Sequence, residues 1–250
     1  MVALREQARL HPVERLRPSL KSLFLAMWRL LRRHPLVVIG AVLIAADLGF
    51  IAIQIAVDAT DYGFKGAYRL SLETEMGVAQ FYGWVKAGAA AFLLYRAWRR
   101  FSSPVAGMWA AALAYLGTDD ALRLHEKLGA YFAERFEFGE IGPLERGQDT
   151  GELLAYTLIL AIALTALVVA ERRDQGRFPS MLTAIMVPIV GAFLFFAVVI
   201  DSIHVLPHVL HIAVEDGGEL LMLSVIFLTS IMWLHQTDEL AIESGPRRTP

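Results

Sequence analysis

Residues 36–57 read LVVIGAVLIAADLGFIAIQIAV, an apolar run interrupted by one charge, Asp47. A helix needs about 20 apolar residues to cross a hydrocarbon layer ~30 Å thick, where every backbone polar group must be paired internally. Further blocks of this kind follow at 76–96, 104–130, 151–170, 181–203 and 208–235. The expectation is an all-α fold, an integral membrane bundle of six transmembrane helices filling 36–238. The composition agrees, with 56% hydrophobic residues and a mean hydropathy of +0.50. A net charge of -2 leaves no global basic field, so no nucleic-acid partner is expected. Cysteine is absent, which removes disulfides, thiolate metal sites and a cysteine nucleophile.

Residues 1–35 form a basic amphipathic N-terminal segment. Arg5, Arg9, Arg15, Arg17, Lys21, Arg29, Arg32 and Arg33 are interleaved with Leu20, Leu23, Phe24, Met27, Trp28 and Leu31 at helical spacing. That pattern predicts a helix lying on anionic lipid. The run after it exceeds a signal-peptide core and reads as a retained first span. Arg96, Arg99 and Arg100 follow the second span, and Arg172, Arg173 and Arg177 follow the fourth. The 134–149 loop is acidic instead, with Glu134, Glu137, Glu140, Glu145 and Asp149. Basic loops stay in the cytoplasm, so a bacterial inner-membrane protein is expected, with both termini inside and 239–250 as a cytoplasmic tail. Membrane lipid is its expected partner. Pro207 is suited to the first turn of the sixth helix. The alternation in YRLSLETE, residues 68–75, predicts a short strand or an extended flap.

Polar residues gather at one depth. Counting ~1.5 Å per residue from the basic ends, Asp119 lies about 22 Å along its span and Glu126 about 33 Å. By the same count Glu219 comes at about 24 Å, Glu215 and Asp201 at about 30 Å, and His204 at about 34 Å. Glu152 and Glu75 fall at about 28–32 Å. On a continuous third helix, Asp119, Arg123 and Glu126 share an arc of ~60°, while His125 lies about 100° away and needs a distorted turn to join them. Asp120 turns to the other side, toward Arg123. On the sixth helix His208, His211, Glu215 and Glu219 form one stripe, and Asp201 with His204 makes an i,i+3 carboxylate–histidine pair.

Imidazole and carboxylate ligands suit a divalent metal: zinc, iron or manganese. The candidates are Asp119, His125, Glu126, Asp201, His204, His208, Glu215 and Glu219, more than the six or so ligands of a dinuclear centre, so some orient the true ligands. With an open coordination position such a site activates water or oxygen, which predicts a metal-dependent enzyme acting on a lipid-like, membrane-soluble substrate. Ser202 is merely adjacent to Asp201 and defines no triad. Other readings stand beside this one. Charges at helix ends sit in headgroup layers, and Asp119 with Arg123 can simply fix helix packing. His125 with His204, His208 or His211 can ligate haem, with Gly117 and Gly129 making room. Carboxylate–histidine chains also carry protons, although only Asp47 and Lys86 lie deep in the inner half. A non-catalytic structural or sensory subunit is the remaining alternative.

The motifs TDDALRLHE, LETEMG and VEDGGELL resemble those of a group of uncharacterised bacterial multi-spanning membrane proteins with an acidic pair, four residues, then His-Glu. The resemblance maps onto Glu75, Asp119, Asp120, His125, Glu126, Asp201, Glu215, Asp216 and Glu219, and it implies no activity. Several of these are aspartate where that group has glutamate, and His204, His208 and His211 lie outside its pattern. HVLPH, residues 204–208, is similar to the H-x-x-x-H spacing of ceramidase-type membrane zinc hydrolases, with Ala121 where their serine is expected.

Overall fold

The computed structural model describes residues 36–60, 68–74, 76–139, 147–174, 177–201 and 206–243. The predicted N-terminal helix, Glu75, Ser202 and His204 lie outside these residues. The chain divides into two compact units, Met1–Val42 and Leu43–Pro250. Residues 36–42 of the first are helical; the packing below is that of the second.

Among the described residues the structure is all-helical, without strands. The helices are α1 (Leu36–Ala59), α2 (Val78–Phe101), α3 (Pro104–Leu122), α4 (Leu124–Phe136), α5 (Gly147–Arg173), α6 (Arg177–Leu194) and α7 (His208–Glu243). A π-helical turn, Phe195–Ile200, continues α6. Among the described residues, four stretches are long and apolar enough to cross a membrane: Leu36–Ala59, Gly147–Arg173, Ser180–Ile200 and Leu210–His235. Their outward residues fit a lipid solvent; Ile162 on α5 is 70% exposed. The stretches expected as spans at 76–96 and 104–130 form α2 and, for the latter, α3 with the start of α4; Lys86, Asp119 and Asp120 on them are turned into the protein.

Small side chains let these inner helices approach closely. Ala79, Gly83, Ala87, Ala90 and Ala97 form the buried face of α2, and close approach of this kind is what drives helix association in lipid. Leu94, Leu113, Leu182, Met186 and Ile226 fill the space between α2, α3, α6 and α7. One ionic knot crosses this interior. Lys86 Nζ donates to Asp47 Oδ1 at 2.8 Å, to the Leu220 carbonyl at 2.7 Å and to Ser224 Oγ at 3.1 Å. Ser224 in turn donates to Asp47 Oδ2 at 2.6 Å, and the Tyr82 ring lies 4.1 Å from the ammonium. Every charge in the knot has a partner, so α1, α2 and α7 are fastened in register.

Two sequence expectations need correction. The third span is not continuous: Arg123, at φ 52 and ψ 47, separates α3 from α4. No glycine or proline marks the break, but the Asp119 carboxylate takes up the His125 N–H at 3.0 Å, satisfying a donor in the first turn of α4. The described part of YRLSLETE, residues 68–74, is no strand; Tyr68–Leu70 is a 3₁₀ turn. Gln54 Oε1 accepts from Ser71 Oγ at 2.5 Å and from the Leu72 and Glu73 N–H groups at 2.9 and 3.3 Å, replacing a strand's ladder with one amide. α7 itself runs on to Glu243, past its apolar stretch. Pro207 lies just before α7, and its carbonyl accepts the His211 N–H at 2.9 Å.

Candidate functional site

The N-terminal ends of α2 and α7, the α3–α4 break, the start of α5 and the end of the π turn line a partly open cavity of about 630 Å³. Among the described residues, nine carboxylates line it (Glu73, Asp119, Asp120, Glu126, Glu152, Asp201, Glu215, Asp216 and Glu219), together with Arg123 and His125. Carboxylates facing one another across a confined space repel, and a cation among them removes that repulsion.

Each wall is built by a specific local device. On α3–α4, buried Asp119 holds the His125 ring through Nδ1 at 2.8 Å and also accepts from Tyr115 O–H at 3.1 Å. The imidazole stacks on Tyr156 of α5, with centroids 5.1 Å apart. Asp120 accepts from Trp84 Nε1 at 2.7 Å. Arg123 pairs with Glu126 at 2.6 Å. On α5, Glu152 accepts from Gln148 Nε2 at 2.7 Å. Gly129 of α4 lies against it so closely that a Cβ there would overlap Glu152 Cγ.

Asp201 follows the π turn, which shifts the helical register just before the residue that enters the site. On α7, buried His211 contacts Glu215 at 3.2 Å through Nε2. Asp201, His211 and Glu215 have ligand atoms within 4.8 Å of one another, and so do Glu215, Asp216 and Glu219. The paired glycines between them allow close approach on two sides. A Cβ on Gly217 would come 2.6 Å from Ile51, and one on Gly218 would come 2.5 Å from Phe196. Electrostatic interactions join the walls: Glu219 feels Asp120 of α3 as well as Asp216, Glu215 and Asp201.

Residues 36–233 match the family described as Domain of unknown function (DUF8692). The chain belongs to this family. No curated protein and no solved structure matches it. The DUF8692 region contains every residue that lines the cavity.

Within the DUF8692 region, Asp119, His125, Glu126, Asp201, Glu215 and Glu219 of the predicted set all line the cavity. His208 does not. Its imidazole is 66% exposed, and Nε2 lies 3.6 Å from Glu73 Oε1. His125, off the arc of a continuous helix, is brought in by the break at Arg123. Asp120, Glu152 and Asp216, outside the predicted ligand set, also line the cavity, as does Tyr156, which carried no sequence signal. Asp120 was expected to turn toward Arg123; it accepts from Trp84 instead and lines the cavity beside Asp119. His211 had a visible signal, its four-residue spacing to Glu215.

Proposed function

We propose that this DUF8692 protein is a six-span inner-membrane protein whose cavity binds a divalent metal ion and uses it on a membrane-soluble substrate. The observation carrying the proposal is the convergence of Asp201, buried His211 and Glu215, with Asp216 and Glu219 beside them. Oxygen ligands with one or two imidazoles suit zinc, iron or manganese. The facing wall supplies Asp119, His125, Glu126 and Glu152. A cavity of about 630 Å³ falls within the range of roughly 300–1,000 Å³ that takes a small molecule. With a coordination position open, the metal supplies Lewis-acid activation of water or of a substrate oxygen.

Orientation follows from charge. Arg99 and Arg100 end α2, and Arg172 and Arg173 end α5, at the helix ends opposite the cavity. Basic ends inside put the cavity toward the outer face.

The test is metal analysis of full-length protein purified in detergent without chelator, followed by assays on lipid esters and amides and of oxygen consumption. Stoichiometric metal with turnover is the expected result. Metal without turnover reassigns the site to a structural or sensory role, and absence of metal overturns the proposal.

A further inference from the structure

The cavity contains an imidazole whose two nitrogens are in different situations. His125 Nδ1 lies 2.8 Å from Asp119 Oδ2. Nε2, on the opposite edge of the ring, has no hydrogen-bond partner among the described residues. A neutral imidazole carries its proton on one nitrogen only, and a carboxylate accepts. In the neutral ring, the form able to bind a cation, the proton therefore belongs on Nδ1 and the lone pair on Nε2. Stacking on Tyr156, at an interplanar angle of 25°, fixes the plane of the ring.

Asp119 is engaged differently. It is 3% exposed. Oδ1 accepts the His125 N–H at 3.0 Å and the Tyr115 O–H at 3.1 Å, while Oδ2 faces Nδ1. Three donors occupy a carboxylate that has about four acceptor sites. Drawing it onto a cation would give up the contacts that end α3, start α4 and aim the ring.

We infer that His125 coordinates the cavity's cation through Nε2, and that Asp119 is a positioning residue which holds that nitrogen in place rather than a ligand itself. The inference rests on the metal reading above and divides the α3–α4 wall into a donor and its support. Carboxylates behind metal-bound imidazoles have this role in general. The break at Arg123 makes it possible here, because on one continuous helix residues six apart point about 240° from each other.

The experiment uses full-length protein in detergent with ¹⁵N-labelled histidine and Zn²⁺ as the probe. The His125 signal is identified by its loss in H125Q. At a pH that leaves the ring neutral, the wild type should report a proton on Nδ1 and a lone pair on Nε2, with Nε2 shifting on Zn²⁺ addition. D119N should bind Zn²⁺ about 10–100-fold more weakly at unchanged stoichiometry, and its preference for protonated Nδ1 should relax. A wild-type lone pair on Nδ1, Zn²⁺ binding that leaves Nε2 unmoved, or unaltered affinity in H125Q overturns the inference while the metal site stands. Loss of a whole Zn²⁺ equivalent in D119N would make Asp119 a ligand and overturn it as well. Wild type that binds no Zn²⁺ overturns the metal reading together with the coordination step. The tautomer, read without metal, then decides whether Asp119 orients His125. The wild-type spectrum requires no folded variant beyond the one that assigns it.

Discussion

Lys86 and Asp47 show how much depends on a single partner. Neither is accessible, and each satisfies the other's charge. Removing one leaves an uncompensated buried ion, so K86M should lower unfolding stability by about 3–5 kcal/mol, whereas D47L/K86M should recover most of that loss. Denaturant unfolding of the detergent-solubilised protein measures both, and a double variant as unstable as the single one would count against this account. At the cavity, E219Q removes a charge with little change in shape. It should lower metal occupancy, read by elemental analysis, while the helical content by circular dichroism stays the same. The sequence showed Asp47 and Lys86 as deep charges but not that they meet, because contact between residues so far apart depends on how three helices pack. Glu215 and Glu219 were legible for the opposite reason, since both sit on one stripe of one helix.

At the level of elements, the helices were legible because long apolar runs have few alternatives in lipid. The join between α3 and α4 was not. A residue other than glycine in the left-handed region costs about 1–3 kcal/mol and is held only where its surroundings insist, here through the Asp119 carboxylate. The segment ending at Thr74 was misread for a similar reason: alternation signals a strand only when no side chain such as Gln54 takes its backbone donors. Close approach between α4 and α5 can be tested with two glycines. G129A must push against Glu152 and should destabilise by about 1–3 kcal/mol while lowering metal occupancy. Gly88 has nothing within 4 Å of an added Cβ, so G88A should be neutral or gain up to about 1 kcal/mol from helix propensity. Equal effects in the two variants would argue against a tight α4–α5 contact.

For the whole molecule, the natural absence of cysteine is an experimental advantage. Single cysteines at exposed positions report sidedness without background. Glu137→Cys, just beyond α4, should react with a membrane-impermeant thiol reagent in spheroplasts. Arg100→Cys, at the end of α2, should react only after permeabilisation. The reverse pattern would invert the orientation and move the cavity to the cytoplasmic side.

The turn of α7 from His211 to Glu219 has one more consequence. Its acids face the cavity while its two glycines clear Ile51 on one side and Phe196 on the other. Deleting one residue before Glu215 would rotate everything after it by about 100° relative to the preceding turn. Acids would then meet apolar neighbours, and side chains would fill the gaps that the glycines leave. Along this stretch the spacing of the residues matters as much as their identity.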